Sequence, residues 1–139
     1  MHKRLWFVGS AILAGLLGGC SLSADTSLAE QEVKHFHELL DAGSSSAIYE
    51  AAAEDLKKVT TQAEFVTFLD AIHRKLGRSN SWERKGWNVN VGTSGKFITL
   101  NYETSYAQGP AQEQFIYRLA DKQALLVGYH INSTTLILK

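Results

Sequence analysis

The hydrophobic period of the sequence changes at Gly77, and this change limits the possible folds more than any other feature of the chain. Before Gly77, apolar residues recur three or four positions apart, as on one face of a helix. After Gly77, apolar and polar residues alternate, as in strands that are covered on one side. Helices that precede strands in this way predict an α+β fold.

Two helices are predicted in the first part of the helical region, before Gly77. Ser27 and Glu30 form a capping box at the start of the first helix, which continues to Gly43. A short second helix begins in the serine run 44–46 and extends through Ala52. A looser stretch without a clear period follows over 54–59.

A third helix is predicted with a clear start and a clear end. Thr61 and Glu64 form another capping box, and an apolar face then recurs at helical spacing. Gly77 ends the helix. Three helices are therefore expected before the strands.

Four strand-like runs follow, separated by the turn-forming segments 92–95, 108–110 and 121–123. Short connections join antiparallel neighbours, so a four-stranded antiparallel meander is predicted, with the helices on its apolar face. The alternation assigns several residues of each strand to that face: Trp87, Val89 and Val91; Ile98, Leu100 and Tyr102; Phe115, Tyr117 and Leu119; and Leu125, Val127, Tyr129 and Ile131.

Residues 1–19 have the pattern of a bacterial lipoprotein signal peptide. A basic start is followed by the apolar run 5–17, and Leu17-Gly18-Gly19-Cys20 resembles the lipobox at which such signals are cut. A thiolate is soft enough to be alkylated by a lipid donor, which predicts lipidation at Cys20. An uncleaved spanning helix is the alternative, although the glycines and serines in this stretch weaken it.

Lipidation would make Cys20 the first residue of the mature protein and its membrane anchor. We expect residues 20–27 to be the lipidated N-terminus with a short polar tether, and 28–139 to be a single domain. By resemblance to lipoproteins of two-membrane bacteria, in which an aspartate at the position of Ser21 retains the protein in the inner membrane, the periplasmic face of the outer membrane is favoured. The lone cysteine cannot form an internal disulfide, so stability must come from core packing.

The charge balance argues against nucleic-acid binding. The 14 Lys and Arg residues equal the 14 Asp and Glu residues, so no basic field is present. His35 and His37 lie two apart and point in different directions on a helix, whereas a metal pair needs a spacing of three or four. No metal site and no cofactor are predicted, and His37 is expected to be only partly packed.

Three segments carry a resemblance to a known fold: FHELLDAGSSSAIYEAA, TQAEFVTFLDAIHRKLG and ALLVGYHINS. Together they resemble the nuclear-transport-factor-two-like, or cystatin-like, α+β cone, and within it an uncharacterised family of exported bacterial domains, over about 29–133. The resemblance implies three helices packed on a curved four-stranded sheet. Such cones often enclose a pocket, in which some relatives transfer protons with a carboxylate base and a tyrosine donor.

Four aromatic residues of the inner sheet face are candidate pocket-lining residues: Trp87, Tyr102, Tyr117 and Tyr129. The alternative is that they are core aromatics with satisfied hydroxyl groups. The nearest ionisable residues are Glu113, placed at a strand start, and His37 and His73 beside the helical stripes. A buried general base is therefore not expected, and no catalytic residue is predicted.

These patterns favour a non-enzymatic envelope lipoprotein that binds a small apolar ligand or a protein partner. The alternative is an isomerase-like or hydratase-like enzyme that uses the aromatic cone. A deep pocket containing a carboxylate would favour the enzyme, and a filled cone with an exposed apolar edge would favour an interaction module. The tail 135–139, with three consecutive apolar residues at 136–138, is expected either to continue the last strand or to contact a second copy in a homodimer.

Overall fold

The computed structural model describes residues 19–138, with side chains from Leu22 onward, and has an α+β fold. Five helices are present in this part of the chain: α1 Gly19–Asp41, α2 Ser45–Ala51, α3 Glu54–Val59, α4 Gln62–Leu76 and α5 Thr134–Leu138. Four strands form an open antiparallel sheet in chain order: β1 Ser79–Gly92, β2 Gly95–Tyr106, β3 Gly109–Ala120 and β4 Gln123–Asn132. The predicted α+β class and meander are confirmed.

Helix α1 extends further toward the N-terminus than predicted, because the chain is already helical at Gly19, the first described residue, and not only from Ser27. No proline or glycine occurs between Cys20 and Ala42, so no helix-breaking residue interrupts the chain there. The stretch 54–59 is also helical, as α3. In the described part of the chain, four helices rather than three therefore precede the sheet, and the predicted polar spacer is part of α1.

The two ends of α4 confirm the predicted stop and start signals. Glu64 N donates to Thr61 Oγ1 at 3.3 Å, and Thr61 N donates to Glu64 Oε2 at 2.9 Å, which completes a capping box. Gly77 has φ +75°, and a Cβ at this position would lie 3.1 Å from Cβ of Ala107. Glycine is therefore required there both by the backbone conformation and by the close approach of the β2–β3 turn.

The core lies between the helices and one face of the sheet. Phe115 of β3 is fully buried near its centre, and its ring contacts Phe36 of α1 at a centroid distance of 5.0 Å and Tyr129 of β4 at 5.1 Å. The predicted inner-face residues of β2 and β3 are all buried. On the edge strand β1 the predicted face is correct, but Trp87 is 46% and Val91 71% exposed.

A bulge in β4 makes part of the predicted inner face wrong. The pairing with β3 shifts between Ile116 and Tyr117, which leaves Val127 without a partner. An extra residue reverses the alternation on one side of a bulge. Tyr129 and Ile131 therefore pair with inner-face residues as predicted, whereas Leu125 and Val127 do not, and the core is completed instead by Ala124 and Leu126.

The C-terminal tail forms the short helix α5 rather than a continued strand, so that prediction is wrong. Leu136 packs against the core, and its carbonyl oxygen accepts a hydrogen bond from Lys75 Nζ of α4 at 3.1 Å. Ile137 and Leu138 are mostly exposed. The homodimer stays a prediction.

The predicted signal peptide, 1–19, lies outside the described residues apart from Gly19. Over the described stretch 19–138, each helix is either too short or too polar to span a bilayer.

Candidate functional site

A buried polar cluster surrounds Glu113, and sequence reasoning did not predict it. His37 Nε2 donates to Glu113 Oε2 at 2.8 Å, and Thr104 Oγ1 donates to the same oxygen at 2.5 Å. Tyr106 and Tyr129 donate their hydroxyl groups to Glu113 Oε1 at 2.6 and 2.5 Å. The carboxylate therefore accepts four hydrogen bonds inside the core.

The pairing of the strands and the position of α1 bring these side chains together. Glu113 is the fifth residue of β3, so it is not at the strand start, and its odd position puts it on the same face as Phe115. His37 is fully buried and stacks on Trp82 of β1 at a centroid distance of 4.5 Å. The expectation that His37 is only partly packed is wrong, and so is the placement of Glu113 at a strand start.

The electrostatics of the cluster favour an ionised carboxylate. Burial raises the pKa of Glu113, but the hydrogen bond and charge of His37 and the hydroxyl groups of Thr104 and Tyr106 outweigh burial, so the pKa is lowered overall. For Tyr129, burial and the Glu113 charge raise the pKa well above its ordinary value. The two tyrosine hydroxyl groups stay protonated, and each can only serve the carboxylate as a donor.

This arrangement leaves the carboxylate little capacity for proton transfer. Its two oxygens already have four donors, and the Glu113 side chain has no exposed surface. A cavity of about 350 Å³ passes Glu113 on the outer face of the sheet, among exposed polar residues such as Asn101 and His130. Because the side chain points to the opposite face, the carboxylate is not reached from that cavity.

The four predicted pocket-lining aromatics do not form one site. Tyr102, Tyr117 and Tyr129 are buried, and all three rings lie around Phe115, with centroid distances of 5.9, 6.3 and 5.1 Å. The space between them is thus filled by a phenyl ring. Trp87 lies apart from this group, on the exposed edge strand. That they bind a ligand stays a prediction.

Tyr117 lines an apolar cleft between α1, α2 and the β3–β4 hairpin. The cleft has a volume of about 290 Å³, and its walls are mainly apolar side chains such as Leu28, Leu39 and Ile48. The Tyr117 hydroxyl group is buried and has no hydrogen-bond partner within the described part of the chain. Burial raises its pKa, and the nearby charge of Glu32 raises it further.

Trp87 lies beside the first turns of α1. Together with Leu22 and Thr26 it borders an open cavity of about 620 Å³ at this end of the molecule. Two ion pairs fix α1 to the sheet there: Asp25 with Lys96, and Glu30 with Arg84. The exposed apolar side chains of Leu22, Trp87 and Val91, which we call the β1-edge patch, therefore occupy the end at which α1 begins.

No group of three His, Cys, Asp or Glu side chains suited to a metal ion occurs in the described region. His73, near the end of α4, is half-buried and does not join the Glu113 cluster.

Comparison with known proteins identifies a family. A search of curated proteins finds no match to this chain. Residues 32–129, from α1 to β4, match the family described as "Protein of unknown function (DUF4019)", in agreement with the expectation of a domain of unknown function. Because the match covers more than two thirds of the 139 residues, the chain belongs to this family, Protein of unknown function (DUF4019).

Proposed function

We propose that this protein is a lipoprotein of the bacterial cell envelope whose domain, a member of the nuclear-transport-factor-two-like cones, is a non-enzymatic binding module at the membrane surface. Lipid on Cys20 anchors it, and the periplasmic face of the outer membrane is its location. One observation carries the proposal: Cys20 already lies within helix α1, at the end of the described domain that bears the β1-edge patch.

The position of Cys20 supports an anchor that holds the domain directly against the bilayer. An extended tether over 20–27 would reach about 25 Å, but a helix rises only about 1.5 Å per residue, so the same residues span roughly 10 Å. The ion pairs Asp25–Lys96 and Glu30–Arg84 fix this helix to the sheet. Lipid chains on Cys20 would therefore bring the β1-edge patch to the membrane surface.

The composition of the patch supports contact with lipid. A tryptophan and aliphatic side chains suit the interface between headgroups and acyl chains, because they bury apolar surface. The nearby cations Lys96 and Arg84 are paired with carboxylates, so apolar contact rather than charge attraction would hold the domain there.

The interior of the domain supports binding rather than catalysis. Phe115 fills the space between the three inner tyrosines, and Glu113 is saturated with hydrogen bonds. A filled core with an exposed apolar edge is what an interaction module would have. An enzyme of the isomerase or hydratase type needs a carboxylate that a substrate can reach.

Native mass spectrometry of the full chain extracted from its own bacterial membranes tests the anchor. We expect a mature protein that starts at Cys20 and carries the added mass of diacylglycerol and acyl chains. The Cys20→Ser variant should lose that mass and keep residues 1–19 uncut, whereas Ser23→Ala, a matched change of one small side chain three residues away, should be cut and lipidated like the wild type. An unmodified Cys20 in the wild-type protein would refute the proposal.

A further inference from the structure

We infer that the cleft between α1, α2 and the β3–β4 hairpin is a binding site for a small, uncharged apolar molecule that carries a hydrogen-bond acceptor at its buried end. The Tyr117 hydroxyl group would donate to that acceptor. The inference deepens the proposed function, because it names the ligand class of the binding module.

The unpartnered hydroxyl group is the first observation. Tyr117 is 2% exposed, and its Oη has no hydrogen-bond partner among the described residues. Leaving a buried polar group unsatisfied costs about 1–3 kcal/mol, so such groups are rare and point to a missing partner. Tyr106 and Tyr129, on neighbouring strands of the same face, both donate to Glu113. Tyr117 differs from them in that its ring borders a cleft.

The shape and lining of the cleft are the second observation. Its volume of about 290 Å³ is near the lower end of the range for ligand pockets. Apolar side chains from α1, α2 and β4 form the walls, and small alanines, including Ala51 at the end of α2 and Ala52 after it, leave the space open. Ala53 N donates to Leu126 O at 2.9 Å, which ties the end of α2 to β4 and fixes the width of the cleft.

The charge of Glu32 beside the Tyr117 hydroxyl group favours an uncharged group at that end of the cleft. Burial and the charge of Glu32 raise the pKa of Tyr117, so its hydroxyl group remains a donor. Glu32 would repel an anionic group placed beside that hydroxyl, and a cation would lose its hydration in a mainly apolar cleft. Lys122 and Gln123 border the cleft from the hairpin turn and can contact polar groups at the opposite end of a ligand.

Fluorine NMR with three matched probes tests this site in the full-length protein, reconstituted in lipid nanodiscs with empty nanodiscs as the blank. The probes are para-fluorophenylacetone, which has a carbonyl acceptor, para-fluoropropylbenzene, which lacks it, and the anion para-fluorophenylacetate. We expect saturable binding of the ketone, roughly three- to tenfold tighter than that of the hydrocarbon, as one hydrogen bond provides. The anion should bind most weakly.

Four variants assign the binding to the cleft. Tyr117→Phe should bind ketone and hydrocarbon equally, whereas Tyr102→Phe, the same change on the neighbouring strand outside the cleft, should keep the preference. Ala51→Leu should block both probes, and Ala63→Leu, at an exposed helical position of α4 away from the cleft, should block neither. Tyr117→Phe retains the ring, so it should fold normally.

Two results would overturn the inference: no saturable binding of the ketone to folded wild-type protein, or an unchanged ketone preference in Tyr117→Phe. The intact mass of the same sample reports whether Cys20 carries lipid. Loss of the anchor and loss of the ligand site are therefore distinguishable, because probe binding does not depend on the lipid.

Discussion

His37 Nε2 lies 2.8 Å from Glu113 Oε2, and both side chains are fully buried. The two residues are 76 positions apart, so this hydrogen bond joins α1 to the middle of the sheet. An ionised carboxylate only accepts hydrogen bonds, which puts the shared proton on His37 Nε2. The pair therefore links the helical layer to the sheet through a polar cluster inside the core.

Replacing Glu113 with glutamine should destabilise the fold strongly. The amide group would turn two donor hydrogens toward side chains that themselves donate, and it would remove the charge that they stabilise. We expect the free energy of unfolding to fall by about 3 kcal/mol, as when one partner of a buried polar pair is removed. Urea unfolding at neutral pH measures this change.

Glu103→Gln provides the control for this substitution. Glu103 is exposed on the neighbouring strand β2, so the same chemical change should alter the free energy of unfolding by no more than about 0.5 kcal/mol. If both variants are equally stable, the hydrogen-bonded cluster does not hold the core together.

Acid should lower the free energy of unfolding of the wild-type protein more than that of the Glu113→Gln variant. Burial raises the pKa of Glu113, but His37, Thr104 and Tyr106 lower it overall, so the pKa in the folded protein is below the ordinary glutamate value of 4.5. A lowered pKa contributes stability above the unfolded value, and that stability is lost as the pH falls through the folded value. The stability gap between the two proteins should therefore narrow from pH 7 toward acid.

Urea midpoints measured for both proteins from neutral pH to below the ordinary glutamate pKa would show this narrowing. A gap that keeps the same size over the whole range would mean that Glu113 is not ionised in the native core. Glu103→Gln should follow the wild-type curve.

Local signals in the sequence were sufficient for most of the element order. The capping box of Thr61 and Glu64 and the stop at Gly77 involve neighbouring residues, and the structure confirms both. The extension of α1 before Ser27 was not predictable in this way, because Ser27 and Glu30 satisfy the capping pattern even though the helix continues past them. A capping motif permits a helix to begin, but it does not end a helix that already runs through it.

The candidate site depended on tertiary structure that no local pattern contains. The alternation in β3 places Glu113 on the same face as Phe115 and Tyr117, which was the one sequence signal for a buried carboxylate. Its four donors come from α1, β2 and β4, so their meeting could not be read from spacing. The bulge at Val127 and the open edge at Trp87 likewise depend on which strands pair and where the helices lie.

Truncation after Ser133 should lower the melting temperature by a few degrees. It removes the partly buried Leu136, together with the hydrogen bonds from Lys75 to Leu136 O and from Thr135 to Gln108 O. These contacts together stabilise a domain of this size by about 1–2 kcal/mol. Differential scanning calorimetry measures the change.

Ile137→Ser is the control for the truncation. Because Ile137 is 75% exposed, this substitution should leave the melting temperature unchanged. Sedimentation of the same two variants reports whether the tail joins two copies. An unchanged melting temperature after truncation would contradict the packing of α5 on α4.

Trp87 should contact lipid when the anchored protein is bound to vesicles. The chain has three tryptophans, and Trp6 would leave with the signal peptide, so the Trp82→Phe variant would keep Trp87 as its only tryptophan. Bromine atoms on lipid acyl chains quench only the indole rings that they approach. We expect brominated phospholipids to quench the fluorescence of Trp87 strongly, because its exposed ring lies at the end of the molecule that bears Cys20.

The Trp87→Phe variant gives the matched measurement, because it keeps only Trp82. That ring stacks on His37 and lies about 16 Å further along β1, at 3.2–3.4 Å per residue, so it should be quenched much less. Both variants retain Cys20 and should bind vesicles equally. Quenching of Trp87 no greater than that of Trp82 would show that the anchored domain does not rest on the membrane through the β1-edge patch.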